Sequence, residues 1–335
     1  MNNKLAAALS ILFCAGVANA GPPLDDVCET GHRCRTIAKF GIITDIHHTN
    51  KADIPSRKYS AAVAKTEHFV KSMNRQKANF VIELGDFVDT LADSKDPLEN
   101  LNEVESVYSS FRGPKYHVLG NHDFDNIERD VFLDSITNTR IPMGETYYSF
   151  DSGGIHCVVL DADYTVAEPH LPFDLQDPND PFWTWKDAWV PEEQLAWLEM
   201  DLARSNRPTV VFTHQVVHRD TTEDHTIKNA DALRAILEED GQVVAVFSGH
   251  DHRGEMAVRN GIHYFVLEGN VGMSLDWPEV SPTEGLDPVK DSPFTFVEVK
   301  QERADEFNGI RTYQIALTGN AQQYTYEDQV QILAP

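Results

Sequence analysis

The sequence is poor in basic residues. Its 335 residues include 28 Lys and Arg against 53 Asp and Glu, which gives a formal net charge of −25. Binding to nucleic acid backbones or to anionic membranes depends on clustered Lys and Arg, so this balance argues against both kinds of partner. A small phosphorylated substrate would need local cations that reverse the acidic field, and bound metal ions would supply them.

Long hydrophobic runs are also missing, apart from a short one at the N-terminus. Lys4 precedes an apolar run over 5–15, and Ala18-Asn19-Ala20 follows. This is the pattern of a secretory signal peptide that is cleaved near Ala20. The run is too short to span a bilayer, and no later segment is long enough either. We therefore expect an exported protein, periplasmic or secreted, whose mature chain begins near Gly21.

Cysteine is scarce, with four residues in the whole chain. Cys28 and Cys34 bracket a short polar loop, which suits a disulfide in an oxidising compartment. A zinc site is the alternative, although a second pair of ligands is missing. Cys157 lies in the apolar pattern of 155–160 and is expected in the core.

Strand and helix patterns alternate in the first part of the chain, and strands are added late. This order predicts an α/β fold in one domain, a mixed β-sandwich flanked by helices. Helices are predicted over 57–73, 98–111, 191–204 and 227–239. Strands are predicted over 37–44, 81–84, 116–119, 147–150, 155–160, 208–213, 242–248, 262–267, 294–299 and 310–317. The predicted boundaries are a signal peptide 1–20, a leader segment 21–36, a domain 37–320 and a C-terminal tail 321–335.

Two irregular stretches, 163–190 and 271–293, carry prolines and large aromatic residues, among them Trp183, Trp185 and Trp189. Such stretches without periodicity are typical of surface insertions with a functional role. Their aromatic rings either anchor the insertions to the domain or stack on a ring of the substrate.

Five strand-like runs end in side chains that bind metals. In the central one, the apolar residues of 81–84 stop at Gly85, and Asp86 follows. The other four runs end in the segments Asp45-Ile46-His47, Gly120-Asn121-His122-Asp123, Thr213-His214 and Gly249-His250-Asp251-His252. Ligands of open α/β sheets bind beyond the carboxyl ends of the strands, so these side chains are expected to converge.

The composition of this set indicates which metals it would bind. Its seven candidate ligands are Asp45, His47, Asp86, Asn121, His214, His250 and His252. Four of them are histidines, which favours Zn, Mn, Fe or Co over Mg or Ca. Each residue alone has a simpler explanation, since Asp often caps a helix and His is often a buried hydrogen-bonding residue. The ordered set of five tips favours a site for two metal ions that share Asp86.

The five segments, in this order, resemble the calcineurin-like metallophosphoesterase superfamily. The resemblance implies a helix-flanked sandwich (αββα) and two divalent or trivalent transition-metal ions. One ion would be held by Asp45, His47, Asp86 and His252, and the other by Asp86, Asn121, His214 and His250. It further implies that His122 acts as a general acid or stabilises the charge of the leaving oxygen. Asp123 would orient the ring of His122, and Asp89 would support the ligands from behind.

Within the superfamily, residues 40–273 are most similar to the manganese-dependent ADP-ribose/CDP-alcohol diphosphatases. The similarity includes Phe40-Gly41-Ile42-Ile43, Arg57-Lys58-Tyr59, His117-Val118-Leu119-Gly120 and Leu267-Glu268-Gly269. Those enzymes have Gln at the position of His47 and Glu at the position of Asp123. Candidate substrate contacts are Arg57 and Arg253, which would hold a second phosphate, and His218.

These observations predict a hydrolase of phosphodiester or phosphoanhydride bonds, acting on substrates such as nucleotide diphosphate conjugates. A hydroxide that bridges the two ions would attack phosphorus in line. One alternative is a phosphomonoesterase of the alkaline phosphatase type. Another, of a different class, is an inactive protein that binds metal or phosphate, although an intact His122 and Asp123 argue against it.

Overall fold

The computed structural model describes residues 26–27, 33–92, 96–175, 185–272, 287–302, 311–319 and 326–332. The strands are β1 Asp26–Val27, β2 Arg33–Ile43, β3 Phe80–Glu83, β4 Lys115–His117, β5 Tyr148–Ser152, β6 Ile155–Val159, β7 Thr209–Phe212, β8 Val243–Ser248, β9 Arg253–Arg259, β10 Ile262–Glu268, β11 Thr295–Glu302, β12 Arg311–Gly319 and β13 Tyr326–Ile332. The helices are α1 Ala62–Gln76, α2 Pro97–Tyr108, α3 Arg129–Ser135, α4 Glu192–Leu202 and α5 Ala230–Asp240.

The strands of the described residues form two sheets. The first has the order β13-β12-β11-β2-β3-β4, with β1 paired to β2, and the second has the order β5-β6-β7-β8-β10-β9. Parallel pairs lie in the middle of the fold: β2–β3–β4 in the first sheet and β6–β7–β8–β10 in the second. The carboxyl ends of these parallel strands are where the predicted ligand segments begin.

The two sheets pack face to face through large aromatic side chains. Phe40 stacks on Phe80 in the first sheet, and Phe212 stacks on Phe247 in the second, with ring centroids 4.8 and 5.9 Å apart. Phe40 meets Phe212 edge to face across the interface at 5.8 Å. Successive strand residues point to opposite faces, so neighbours such as Val81 belong to a second core that packs against the helices. The layers are thus helix, sheet, sheet and helix, which confirms the predicted fold class.

The helices begin and end at residues that the sequence marks well. The side chain of Asp96 accepts a hydrogen bond from the amide of Leu98, and Pro97 occupies the first helical position of α2. Pro191 precedes α4, whose first turn carries Glu192 and Glu193. No helix in the described part of the chain combines the length and the apolar character that a membrane span requires.

Several elements differ from the sequence prediction. Strand β2 begins at Arg33, inside the predicted leader, and β13 lies inside the predicted tail. Helix α3 and the edge strand β9 were not predicted. Cys157 is buried, as expected, and Cys34 is disulfide-bonded. Its predicted partner Cys28, the signal segment and Trp183 lie outside the described residues.

Candidate metal centre

All five predicted tips lie at one edge of the sandwich, beyond β2, β3, β4, β7 and β8. Strands β2, β3 and β4 belong to one sheet and β7 and β8 to the other, so the site lies where the two sheets meet. Asp86, which follows β3, contacts one histidine that follows a strand of the first sheet and one that follows a strand of the second. Its Oδ2 lies 3.5 Å from Nε2 of His47 and 3.3 Å from Nε2 of His214. The position suits a carboxylate shared by two cations.

Asp45, His47 and His252 form the first group of ligand atoms. The Nε2 atoms of the two imidazoles lie 3.2 Å apart, and Oδ1 of Asp45 lies 3.2 Å from Nε2 of His252. Asp45 and His47 are fully buried and His252 is nearly so. The three residues come from the tips of β2 and β8, which are far apart in sequence.

Asp86, His214 and His250 form the second group. Nδ1 of His250 lies 3.1 Å from Nε2 of His214. Asn121 comes from the tip of β4, and its buried Oδ1 has no hydrogen-bond partner. Such an orphaned acceptor is costly unless a cation or water occupies the space in front of it.

The backbone of the tips is held in a conformation that most residues avoid. Asp45, His47, Asp86 and His250 all have φ between 49° and 67°. Left-handed conformations at residues other than glycine cost free energy and concentrate at functional sites. Close approach of the tips also requires Gly120, because a Cβ there would lie 2.1 Å from the amide nitrogen of Asp86.

Two of the imidazoles are oriented by partners on the side away from the centre. Nδ1 of His214 lies 2.8 Å from the carbonyl oxygen of Leu84, to which it donates a hydrogen bond. Nδ1 of His47 lies 3.2 Å from Oδ2 of Asp89. These contacts favour the tautomers that leave Nε2 as an acceptor toward the centre. The position of Asp89 agrees with the supporting role that the sequence predicted for it.

His122 lies beside the two groups, and its orienting partner is not the predicted one. Nδ1 of His122 lies 2.7 Å from Oδ2 of Asp125 and 3.5 Å from Oδ1 of Asp89. Its backbone amide donates to Oδ1 of Asp86. Residues 121–124 form a 3-10 turn, in which side chains three positions apart lie on the same side of the turn. The carboxylate of Asp125 therefore lies next to the ring of His122.

Asp123 has a different task, so the prediction that it orients His122 was wrong. Its Oδ1 accepts the amides of Phe87 and Val88, and its Oδ2 accepts the amide of Gly120. The residue thereby ties the tip of β3 to the tip of β4. Burial raises its pKa well above the usual range, and the nearby Glu83 adds to the effect.

The charges of the centre are set by burial and by mutual contact. Burial alone would raise the pKa of Asp86, but the neighbouring imidazoles, with His214 the strongest, hold it well below the usual range. Burial, reinforced by His214, lowers the pKa of His250 far below its ordinary value. Burial also lowers the pKa of His47. Although burial opposes it, Asp86 raises the pKa of His214 well above its ordinary value, so this imidazole must lose a proton when metal binds.

These residues fit metal ions by their spacing as well as by their chemistry. Ligand atoms about 2.1 Å from a tetrahedral ion lie about 3.4 Å from one another. The nitrogen pairs His47/His252 and His214/His250 are 3.2 and 3.1 Å apart, and all four rings present nitrogen to the centre. Six of the seven predicted ligands therefore come together as two groups, and Asn121, at the tip of β4, has an unpaired buried oxygen.

The centre opens into a cleft of about 600 Å³. Arg57 and Arg253, predicted as phosphate contacts, line this cleft together with Trp185. His218 is not among the residues that line it, and its predicted contact with substrate stays a prediction. Its ring packs on Tyr264, and its Nε2 lies 3.4 Å from a carboxylate oxygen of Glu255 on β9.

Sequence reasoning missed other residues of the cleft. His225 lines it, with its ring 4.8 Å from that of His250 and 5.0 Å from that of Trp185. Arg219 and Asp251 line it as well. No spacing pattern in the sequence marks His225 or Arg219, because both lie on the irregular segment between β7 and α5.

Comparison with known proteins agrees with this geometry. The model of the calcineurin-like phosphoesterase family matches residues 38–254. The chain belongs to this family of metallophosphoesterases. All five ligand-bearing tips lie inside the matched range.

Relatives and solved structures add detail. A manganese-dependent ADP-ribose/CDP-alcohol diphosphatase of Arabidopsis thaliana is 24% identical over 80% of this chain and 96% of its own length. The serine/threonine-protein phosphatase CPPED1 of Danio rerio is 26% identical over 64% of this chain and 67% of its own. A crystal structure of a dimetal phosphatase from Danio rerio superposes with a TM-score of 0.64 at 21% identity, covering 89% of this chain and 100% of that one.

Proposed function

We propose that this protein hydrolyses a phosphodiester or phosphoanhydride bond in a small nucleotide conjugate, with two transition-metal ions held in the centre described above. The observation that carries the proposal is the arrangement of the two ligand groups around one carboxylate, Asp86. When bound, two such ions activate water and stabilise both the attacking and the leaving oxygen of a displacement at phosphorus. Manganese is the metal we propose first, because it is named for the diphosphatase relative.

The chain's own residues would hold and orient the reactants. Asp45, His47 and His252 would hold the first ion, and His214, His250 and Asn121 would hold the second. Asp86 contacts both groups, as described above.

His122 borders the cleft, with its side chain 30% exposed. We assign it the transfer of a proton to the leaving oxygen. Burial alone would lower the pKa of His122, but Asp86 first, and then Asp125 and Asp89, raise it to about 9. In the metal-free protein the ring is therefore protonated at neutral pH, the form from which a general acid donates.

The remaining walls of the cleft suit a substrate with a ring and a second phosphate. Arg57 and Arg253 supply guanidinium groups in a chain that is otherwise strongly acidic. Trp185 supplies an aromatic face beside His225 and His250. The relationship to an ADP-ribose/CDP-alcohol diphosphatase supports the same class of substrate.

A phosphomonoesterase is the second candidate, favoured by the protein phosphatase among the relatives. Turnover of ADP-ribose, bis(p-nitrophenyl) phosphate and p-nitrophenyl phosphate with added Mn separates the two candidates. We expect the highest kcat/KM for ADP-ribose or the diester. A dominant rate on p-nitrophenyl phosphate would contradict the proposal.

An inactive binding protein is the third candidate, and one variant addresses it. The His122→Ala variant should retain its metal and lose most of its turnover. If wild type and variant both bind metal and neither hydrolyses any of the three substrates, the protein is a binding protein.

We also propose that the protein is exported. The N-terminal pattern of Lys4, an apolar run and Ala18-Asn19-Ala20 supports this, as does the disulfide at Cys34, since disulfides persist in oxidising compartments. N-terminal sequencing of the protein from fractionated cells should give a chain that starts near Gly21. A chain that retains Lys4 in the cytoplasmic fraction would contradict export.

A further inference from the structure

Asp251 lies between two of the candidate ligands, His250 and His252, and is itself no ligand. It is buried, with only 3% of its surface exposed. Its Oδ1 accepts a hydrogen bond from Nε of Arg253 at 2.7 Å, and its Oδ2 accepts one from Nη2 of the same guanidinium at 2.6 Å. This is a bidentate contact, which fixes the plane of the guanidinium as well as its position.

A second arginine holds Asp251 from the other side. Nη1 of Arg219 donates to Oδ2 of Asp251 at 2.7 Å. Nε and Nη2 of Arg219 both lie 2.6 Å from Oε2 of Glu255 on β9. Arg219 is mostly buried, with its side chain 12% exposed, and its carbonyl oxygen accepts a hydrogen bond from Arg234 of α5. The network is therefore anchored to a strand and to a helix.

The formal charges within this network cancel, because two guanidinium groups face two carboxylates. It therefore adds little net positive charge to the cleft. What it does provide is a defined orientation for Arg253, which lines the same cleft as His47 and Asp86 and has half of its side chain exposed. Preorganised hydrogen bonding of this kind increases affinity by reducing the cost of ordering.

We propose that Asp251 is a positioning residue that sets the guanidinium of Arg253 to receive the second phosphate of a diphosphate substrate. This inference rests on the proposed function. Asp251 is joined by peptide bonds to His250 and His252, so its two hydrogen bonds with Arg253 hold the guanidinium at a defined offset from the metal centre. The contact between Asp251 and Arg253 thus selects substrates whose second phosphate lies at that offset from the phosphate that reacts.

A double-mutant cycle tests the inference. The variants are Arg253→Ala, Asp251→Asn and the double variant, assayed for kcat/KM on ADP-ribose and on p-nitrophenyl phosphate, with metal content measured in each. Glu255→Gln is the matched control, because it weakens a partner of Arg219 and leaves the contact between Asp251 and Arg253 intact.

We expect Arg253→Ala to lower the ratio of ADP-ribose to p-nitrophenyl phosphate turnover by about tenfold to a hundredfold, as for a lost charge-assisted hydrogen bond. Asp251→Asn should lower the same ratio by several-fold. The double variant should fall no further than Arg253→Ala alone, because both changes remove one coupled contact. Glu255→Gln should change the ratio by less than about threefold.

Three results would overturn the inference, and they differ in what they say of the proposed function. If wild type prefers ADP-ribose but the two changes are additive, or lower both substrates equally, Asp251 has only a structural role and the proposed function stands. If Glu255→Gln lowers the ratio as much as Asp251→Asn, the effect is not specific to the Arg253 contact. If wild type does not prefer ADP-ribose, the inference fails, and the proposed function fails as well when p-nitrophenyl phosphate is also preferred to bis(p-nitrophenyl) phosphate.

Arg253→Lys keeps the inference testable if Asp251→Asn does not fold. Lysine retains the charge but cannot make the bidentate contact. A loss close to that of Arg253→Ala supports orientation as the cause. A ratio equal to that of wild type overturns it.

Discussion

Two clusters of carboxylates and imidazoles lie along strands β3 and β4, and only one of them has the features of a reactive site. The metal centre lies beyond the ends of β3 and β4. The other cluster lies within these strands, where His117 of β4 stands between Glu83 of β3 and Glu105 of α2. Its Nε2 lies 3.2 Å from Glu105 and its Nδ1 lies 3.5 Å from Glu83. All three residues are buried.

The two clusters differ in how their charge is balanced. Burial alone would lower the pKa of His117, but Glu105 and Glu83 raise it to about 9, so an imidazolium stands between the carboxylates. Burial raises the pKa of Glu83 to about 7, against the opposing effect of His117. The inner cluster therefore carries its own cation. In the metal centre, burial lowers the pKa of His47 and of His250, which favours their neutral forms. Although burial opposes it, Asp86 raises the pKa of His214 well above its ordinary value, so this imidazole is charged until a metal ion displaces its proton.

Geometry separates the two clusters in the same way. The metal centre has left-handed backbone at four ligand positions and an open cleft. The inner cluster belongs to regular strands and a helix, closed in by the rings of Phe87 and Tyr108. Strain and access to solvent, rather than the residue types, mark the functional cluster.

The largest expected effect is that of Asp86→Asn. It should lower kcat/KM on the best substrate by on the order of a thousandfold or more, because two bound cations contribute several kcal/mol at the transition state. Metal analysis by mass spectrometry should show fewer than two ions for each chain. Circular dichroism of the metal-free variant is the control for folding. Activity above about a tenth of wild type would show that Asp86 is not the shared carboxylate.

Variants of His122, Asp125 and Asp123 should separate residues whose loss lowers kcat from a residue whose loss lowers the free energy of unfolding. His122→Ala should lower kcat by about a hundredfold or more with metal content unchanged. Asp125→Asn should lower kcat by about tenfold, because Asp125 orients the ring. Asp123→Asn should instead lower the free energy of unfolding by about 1 to 3 kcal/mol, through weaker acceptance of backbone amides. Larger kcat loss in Asp123→Asn than in Asp125→Asn would reverse these assignments.

The inner cluster should affect stability, with a defined pH dependence. The folded pKa of His117, about 9, lies above the unfolded value of 6.5, so its contribution is full below pH 6.5 and is lost as the pH rises through 9. Between pH 7 and 9 the metal-free wild type should lose about 2 kcal/mol more of its free energy of unfolding than His117→Gln. Urea unfolding at each pH measures this. Parallel pH curves for the two proteins would refute the charge assignment.

The smallest effect concerns the aromatic wall of the cleft. Trp185→Ala should raise KM for ADP-ribose by about tenfold, the value expected for one lost base-stacking contact. It should change KM for p-nitrophenyl phosphate less, and Trp185→Phe should recover most of the loss. Equal effects on both substrates would indicate that Trp185 only packs against His225 and His250.

The ligand set could be predicted from the sequence because each ligand directly follows an apolar strand pattern. The carboxyl ends of parallel strands meet at one edge, so Asp45, Asp86 and His214 converge once the strands are recognised. The partner of His122 could not be found by adjacency, because the turn at 121–124 directs Asp123 toward backbone amides and leaves Asp125 beside the ring.

Other features depend on tertiary structure alone. Strand β9 is polar and largely exposed, so its sequence lacks the apolar alternation that marks a strand. The contact between Asp251 and Arg219 joins two segments 32 residues apart, and the sequence gives no sign of it. The closeness of His218 to His214 in sequence predicts a substrate contact, but it gives no sign that His218 Nε2 lies 3.4 Å from Glu255 on β9.

The most direct test of the metal centre is a crystal structure of the protein soaked with manganese, with anomalous scattering recorded at a wavelength where manganese contributes. We expect two anomalous peaks on either side of the Asp86 carboxylate, one among Asp45, His47 and His252, the other beside His214, His250 and Asn121. A single peak elsewhere on the acidic surface, or no peak within reach of Asp86, would contradict it.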